Sequence, residues 1–228
     1  MISESQDRKA FLTPFITFMG FLALSQGLQS FFGGARSLWI NSPQYLIYPL
    51  QTVICGMILI RYWPRYGLRR LAQPWIALLA GVIAILLWIA PQYLSISPPR
   101  LDGFNPMLFR DHYPLFLAVV FLRFLRSVVV VPLLEEIFWR GYLLRDLINP
   151  DFTKVAFGTF SWFSFCVVTA GFCLEHASSD WPAAILTGAL YNWVAYRTRS
   201  LSSCIIAHAV TNLILGFYIM ETKQWGFW

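Results

Sequence analysis

Long apolar stretches alternate with short polar connections along the whole chain. Each stretch has close to the 20 residues that a helix needs to cross a bilayer, and proline, glycine, asparagine or serine marks the connections. The pattern predicts an all-α fold: a polytopic membrane protein with a bundle of about seven helices, in a range of six to eight. A single transmembrane domain would cover residues 1–228. The predicted spans are residues 11–32, 44–62, 75–96, 114–134, 155–175, 182–197 and 202–220.

The fourth span is expected to extend beyond Leu134. Residues 132–148 remain favourable for a helix, and their polar side chains recur at helical spacing. We therefore expect one helix through this whole segment.

The composition supports a membrane protein. Of the 228 residues, 57% are hydrophobic and only 12% are charged, whereas a soluble domain has about 25% charged residues. The net charge of +6 could suggest nucleic acid, but a nucleic-acid-binding surface clusters its lysines and arginines on a solvated face. Here they lie between apolar stretches, which indicates topology and anionic headgroups. We therefore expect the lipid bilayer as a partner and no nucleic acid, and the sequence leaves the oligomeric state open.

Lysine and arginine are unevenly divided between the two sides of the predicted layout. With the N-terminus inside, the inner side holds eleven and the outer side four, and two within the fourth span complete the seventeen. Since cytoplasmic segments carry the excess of basic residues, the division predicts a cytoplasmic N-terminus. The aromatic tail, residues 224–228, would then be an interfacial anchor. The inner residues are Arg8, Lys9, Arg61, Arg65, Arg69, Arg70, Arg140, Arg145, Lys154, Arg197 and Arg199, and the outer ones are Arg36, Arg100, Arg110 and Lys223.

Three polar clusters interrupt the apolar stretches in the second half of the chain. An ionisable side chain at the bilayer centre costs about 2.5–3.5 kcal/mol on insertion scales. Side chains that converge on a water-accessible cavity avoid most of that cost, so we expect the clusters to meet. They are Glu135-Glu136-Ile137-Phe138-Trp139-Arg140, Phe172-Cys173-Leu174-Glu175-His176 and His208-Ala209-Val210-Thr211-Asn212.

The spacing within the clusters suggests which groups pair. Glu136 and Arg140 stand one helical turn apart and can form a structural ion pair, and His208 and Asn212 have the same spacing. Glu135 is turned by about 100° from Glu136 around the helix, so it is free to point into the bundle. A single buried Glu–Arg pair is as typical of packing as of catalysis, but the further polar groups on three successive spans favour a shared site.

The three clusters, taken in order, resemble the CAAX protease and bacteriocin-processing (CPBP) family, which includes the type II CAAX prenyl endopeptidases. The matching pattern is Glu-Glu-x-x-x-Arg, then Phe-x-x-x-His, then His-x-x-x-Asn, with Arg140-Gly141 also matching. It covers residues 131–213, which would form a catalytic core within the domain. The segments 138–141 and 196–199 and the Trp-Gly-Phe-Trp ending resemble a bacterial branch associated with exosortase protein-sorting systems.

The resemblance implies a glutamate-dependent intramembrane endopeptidase that works without a metal or other cofactor. Glu135 would be the general base that activates water, with His176 assisting. His208, as a neutral ring, and Asn212 would stabilise the oxyanion of the tetrahedral intermediate, because donors in a water-poor site act strongly on developing negative charge. The supporting residues would be Glu136 and Arg140. The substrate would be a membrane-associated protein or peptide, and the location the bacterial inner membrane.

Other functions stay open at this point. Two histidines and a carboxylate are also a plausible zinc set, although no HExxH pair is present. The chain could instead be a non-catalytic immunity or scaffold protein, which would need none of the four catalytic residues. Transport is disfavoured because the sequence shows no repeat symmetry. Nothing in the sequence identifies a prenyl-binding groove.

Two arginines, Arg123 and Arg126, lie within the fourth span and share a helix face. They are interpreted as interfacial side chains that snorkel, or as a partner for Glu136. A sharper hypothesis is that one of them binds a substrate carboxylate or an anionic lipid headgroup.

Overall fold

The computed structural model describes residues 2–32, 37–68 and 71–228. Within these ranges the chain forms seven long helices and one short one, with no strand, so the all-α prediction is confirmed. Arg36, Arg69 and Arg70, which the charge count used, lie outside the described residues. The helices are α1 (Ile2–Phe32), α2 (Leu38–Asn41), α3 (Gln44–Tyr62), α4 (Pro74–Tyr93), α5 (Tyr113–Asp146), α6 (Trp162–Leu174), α7 (Trp181–Thr198) and α8 (Leu201–Thr222).

The long helices make this an integral, multi-pass membrane protein. In the described part of the chain, five helices are long and apolar enough to cross a bilayer, namely α1, α3, α4, α5 and α8. Helix α6 is apolar but has only 13 residues. It begins at Trp162 rather than at the predicted residue 155, because Gly158 adopts a positive φ of 82° and the side chain of Ser161 caps the helix by accepting a hydrogen bond from Ser164 N.

Helix α5 is the long helix that the sequence predicted beyond Leu134, and it ends at Asp146. Two of its segments, Leu125–Val130 and Ile137–Leu143, have π-helical geometry. The wider turns lie on either side of the segment that carries Glu135. Turns with π geometry are rare in proteins, and many of those that occur lie at functional sites. They change which side chains share a helix face.

Helix α5 packs against α1, α3, α6 and α8, and α4 packs along α8. The α4–α8 contact depends on a small residue: a Cβ on Gly81 would lie only 2.7 Å from the carbonyl oxygen of Ala207. Small residues allow membrane helices to approach this closely. The three polar clusters lie on α5, at the C-terminal end of α6 and on α8, so this packing brings them to one region.

The aromatic tail, predicted to be an interfacial anchor, folds back onto the protein. Gly226 N donates a hydrogen bond to the carbonyl oxygen of Arg100 at 2.9 Å, and Trp225 is buried. The ring of Trp228 packs against Phe104 and Phe124. Through these contacts the tail forms part of the wall of the bundle.

Candidate active site

One cavity within the bundle is lined by Glu135, His176, His208 and Asn212. Its volume is about 260 Å³, enough for water and a short piece of chain. Helices α5 and α8 and the residues directly after α6 supply these four side chains, α7 adds Thr187 and Tyr191, and α1 and α4 supply apolar side chains. The structure therefore brings together the four residues on which the sequence placed the chemistry.

Glu136 and Arg140 form a fully buried ion pair, with 3.0 Å between Oε1 of Glu136 and Nη1 of Arg140. The guanidinium also donates from Nε to Oδ1 of Asn192 at 3.0 Å and from Nη2 to the carbonyl oxygen of Gly188 at 3.1 Å. Asn192 in turn donates to Oγ1 of Thr169 at 3.0 Å. A buried ion pair offsets its desolvation only when its other donors are satisfied. Here three nitrogens of the guanidinium are satisfied, while Oε2 of Glu136 is buried without a hydrogen-bond partner among the described residues. The network ties α5 to α6 and α7.

His208 lies between the two adjacent glutamates. Its Nδ1 is 3.0 Å from Oε1 of Glu136, and its Nε2 is 4.0 Å from Oε2 of Glu135. Because Oε1 of Glu136 also accepts from Nη1 of Arg140, Nδ1 of the ring donates to it. A neutral ring then has only a lone pair at Nε2. Donation from Nε2 to an oxyanion would therefore require a hydrogen on both ring nitrogens.

Asn212 does not pair with His208, although the spacing of four allowed it. Its amide nitrogen donates instead to the carbonyl oxygen of Ser127 at 2.8 Å. This bond crosses from α8 to α5 and fixes the amide plane at the cavity wall. The NH₂ group has a second hydrogen, which remains available to an oxyanion.

His176 follows the last turn of α6. Its Nδ1 lies 2.7 Å from the carbonyl oxygen of Phe172, one turn earlier. A carbonyl oxygen can only accept, so Nδ1 carries the hydrogen and the neutral ring has its lone pair on Nε2. The ring is also held between Trp88 and Phe172. His176 is thus oriented to accept a proton at Nε2.

Glu175 is a residue that the sequence reasoning did not single out. Both of its carboxyl oxygens accept from Nε1 of Trp139, at 3.2 and 3.3 Å, and its carboxyl group interacts electrostatically with that of Glu135. The sequence did contain one signal for Glu175: it lies beside His176 at the end of an apolar helix.

Glu135 is buried, and its Oε2 has no hydrogen-bond partner among the residues that the structure describes. A buried polar atom left unpaired costs about 1–3 kcal/mol. Such an atom calls for water or a substrate group, and it faces the cavity that the other three residues line.

Arg123 and Arg126 also line this cavity. Neither is a partner for Glu136, which binds Arg140 and His208, so that interpretation is wrong. Both side chains are buried rather than extended to an interface. Arg126 donates from Nε to Oε1 of Gln51 at 2.8 Å.

The zinc alternative requires a set of metal ligands, and the described part of the chain shows no such set. There, no three His, Cys, Asp or Glu side chains are grouped so that they could hold a metal ion. A larger cavity of about 990 Å³ lies elsewhere, beside Arg65, Arg145 and Arg199. It contains none of the four predicted catalytic residues, so the smaller cavity is the candidate site.

Comparison with known proteins found one family match. Residues 115–214 match the family described as type II CAAX prenyl endopeptidase Rce1-like. The matched segment runs from α5 to α8 and includes all four cavity residues. It supports a place in the CPBP family and, with the long apolar helices, a CAAX-type intramembrane protease. No curated protein matches the chain, and no solved structure does.

Proposed function

We propose that this protein is a glutamate-dependent intramembrane endopeptidase that cleaves a membrane-associated protein or peptide. The observation that carries the proposal is the buried, unpartnered Oε2 of Glu135, which faces a cavity together with His208 at 4.0 Å. A carboxylate at this position can hold and deprotonate a water molecule within hydrogen-bond reach. The family match supports the same class of reaction.

In the proposed reaction Glu135 removes a proton from water as the water oxygen bonds to the carbonyl carbon of the scissile amide. The carbonyl electrons move to its oxygen and form an oxyanion. When the oxyanion collapses, the C–N bond breaks and the amine leaves with the proton that Glu135 had taken. One water is consumed, and the products are a carboxylic acid and an amine.

The oxyanion would be stabilised by the second amide hydrogen of Asn212 and by Nε2 of the His208 imidazolium. Removing one such donor typically lowers kcat by about 10²–10³. Glu136 holds the other nitrogen of the His208 ring and so fixes the orientation of the ring. His176 would assist by accepting a proton at Nε2.

We further propose that no metal takes part, and that the chain belongs to the exosortase-associated bacterial branch. The segments 138–141 and 196–199 and the Trp-Gly-Phe-Trp ending support that branch. The substrate would then be a bacterial membrane-associated protein or peptide, processed at the inner membrane.

The test compares membrane peptide and protein profiles of cells that carry wild-type protein, Glu135→Gln or Glu221→Gln. Glu221 is an exposed carboxylate at the end of α8, so its variant controls for the substitution itself. We expect products present with wild type and Glu221→Gln to be missing with Glu135→Gln. Identical profiles for all three would overturn the peptidase proposal.

A second measurement distinguishes the glutamate-dependent mechanism from the zinc-dependent one. Purified wild-type protein is assayed on an identified substrate with and without 1,10-phenanthroline. We expect full activity in the chelator and a loss of about 10²–10⁴-fold in Glu135→Gln. Loss of activity in the chelator, restored by zinc, would establish the metal-dependent alternative.

A further inference from the structure

A second cavity lies at the C-terminal end of helix α5. Its volume is about 990 Å³, and its lining includes three arginines, Arg65, Arg145 and Arg199. Arg145 follows Glu135 by ten residues, which corresponds to a rise of about 15 Å along the helix. All three arginines belong to segments that the distribution of basic residues assigns to the cytoplasmic side. This cavity is therefore separate from the proposed catalytic site.

The lining of this second cavity is positively charged. Asp7 is the one carboxylate among its described lining residues, and it is paired with Arg65 at 2.6 Å. Arg145 and Arg199 form no salt bridge with any carboxylate in the described part of the chain. Two cations that line one cavity repel each other, and a bound anion would reverse the sign of that interaction. The charges of the lining thus favour an anionic ligand.

Arg145 is held in place with one nitrogen unused. Its Nε donates to the carbonyl oxygen of Val155 at 2.8 Å, and its Nη1 donates to that of Gly141 at 3.0 Å. The guanidinium carbon lies 5.1 Å from the ring centroid of Phe152. Nη2 carries two further hydrogens, which no described residue accepts. The guanidinium is therefore oriented in advance and keeps donors for a ligand.

Arg199 adopts a backbone conformation that favours glycine. It directly follows α7 with φ of 50° and ψ of 36°, a left-handed region that disfavours residues with a Cβ. Its stem packs against Gly158, since a Cβ on that glycine would lie 2.9 Å from Cγ of Arg199. The guanidinium itself makes no hydrogen bond with the described residues. A contact between this guanidinium and an anion would offset the cost of the backbone conformation.

Aromatic side chains place the cavity at the level of the lipid headgroups. Phe160 and Tyr196 line it, and their ring centroids are 5.1 Å apart. Trp162, the first residue of the apolar helix α6, packs against Phe160 at 5.0 Å and is 71% exposed. Tryptophan and tyrosine are enriched at membrane interfaces because their rings are apolar with a polar tip. These rings indicate that the mouth of the cavity lies beside the headgroup layer.

We propose that this cavity binds the phosphodiester headgroup of an anionic phospholipid from the cytoplasmic leaflet. A guanidinium binds phosphate oxygens through parallel N–H groups, and basic pockets between membrane helices on the cytoplasmic side suit such headgroups. Arg145 and Arg199 supply the charge, and the aromatic rings at the mouth contact the glycerol and the upper acyl chains. The bound lipid would join the connection before α6 to the end of α7. The inference does not depend on the proposed peptidase activity.

The test counts the lipids that stay bound when the full chain is released from nanodiscs into a mass spectrometer. The nanodiscs contain equal amounts of phosphatidylcholine and phosphatidylglycerol. We expect retained phosphatidylglycerol to exceed phosphatidylcholine by about tenfold, and Arg199→Gln to lower this ratio about fivefold. Arg199→Lys should keep part of the preference because the charge remains. Arg197→Gln is the matched control, since Arg197 is exposed at the end of α7 and does not line the cavity.

Arg145→Gln should lower the ratio as well. It also removes two hydrogen bonds to the backbone, so Arg199→Gln, which removes none to the described residues, is the deciding variant. Phosphatidylglycerol should raise the unfolding temperature of the wild type and of Arg197→Gln more than that of Arg199→Gln.

Three results would overturn the proposal. The first is a wild-type protein that retains both lipids equally, and the second is the same ratio for Arg199→Gln as for Arg197→Gln. The third is displacement of phosphatidylglycerol by an excess of inorganic phosphate, which would assign the cavity to a soluble phosphate compound.

Discussion

His208 and Glu136, which lie 72 residues apart in the chain, are joined by a contact of 3.0 Å between Nδ1 and Oε1. The same oxygen of Glu136 lies 3.0 Å from Nη1 of Arg140. One carboxylate therefore serves both the ion pair and the orientation of the histidine that we propose to be catalytic. Replacing Glu136 would therefore affect both stability and the proposed reaction. Arg140 would influence the reaction only through its contact with Glu136.

Arg140→Met should destabilise the protein strongly. The substitution leaves Glu136 buried without its cation, and breaking one partner of a buried pair costs about 3–5 kcal/mol. The change is measured as thermal unfolding of the detergent-solubilised protein. Arg140→Lys should rescue little, because an ammonium lacks the planar fork that reaches Glu136, Asn192 and Gly188 at once.

A double variant tests whether the charge is responsible. Glu136→Gln combined with Arg140→Met removes both charges, so it should be more stable than Arg140→Met alone. Arg110→Met, an exposed control, should change stability by no more than about 0.5 kcal/mol. Equal losses for the single and the double variant would contradict the ion-pair explanation.

Glu175→Gln should slow cleavage without abolishing folding. Glu175 is held by Trp139 and its carboxyl group interacts electrostatically with that of Glu135, so we expect it to position the proposed general base. Displacing a catalytic group by about 1 Å can cost up to about 100-fold. We expect kcat to decrease while KM stays nearly constant. Trp139→Phe, which removes the donor to Glu175, should produce a smaller decrease of the same kind.

The Glu175 assignment is contradicted if Glu175→Gln raises KM and leaves kcat unchanged. Glu175 would then contact the substrate directly, and its interaction with Glu135 would have no role in the rate.

Gly81→Ala should separate α4 from α8 and destabilise the bundle. Its added methyl group would lie 2.7 Å from a backbone oxygen of Ala207, which has no flexible end to move aside. Overpacking of this kind costs about 1–3 kcal/mol. Gly56→Ala is the matched control, since a Cβ there meets nothing within 4 Å, and a helical Gly→Ala change is otherwise favourable. Thermal unfolding of both variants in detergent is the measurement. A Gly81→Ala protein as stable as Gly56→Ala would disprove the close approach.

The cavity should open on the non-cytoplasmic side. His176, at the C-terminal end of α6, and the ion pair between Arg100 and Asp180 lie toward the face where α5 begins. The predicted cytoplasmic N-terminus places that face outside. In a chain whose native cysteines are replaced by alanine, Asp111→Cys should react with a membrane-impermeant maleimide on intact cells. Lys154→Cys, at the opposite face, should react only after permeabilisation, and the reverse labelling would contradict the orientation.

Several properties follow from the sequence alone because they are local. Transfer free energy and segment length determine that the chain spans a membrane, and helical period predicts both the extension of α5 past Leu134 and the contact of Glu136 with Arg140. The cost of burying ionisable groups pointed to the three polar clusters, and the resemblance to the CPBP family singled out Glu135, His176, His208 and Asn212 within them. These inferences need only residues within one or two helical turns of each other.

Only the tertiary structure decided which distant groups meet. His208 binds Glu136 rather than Asn212, Glu175 joins Glu135, and the rings around Arg123 come from α3, from the connection after α4 and from the tail. Such contacts depend on how each helix is rotated about its axis. The π-helical turns of α5 change that rotation, and the pattern of hydrophobic residues in the sequence does not reveal them. The periodicity of a chain specifies which residues share a face, while packing between helices decides what that face contacts.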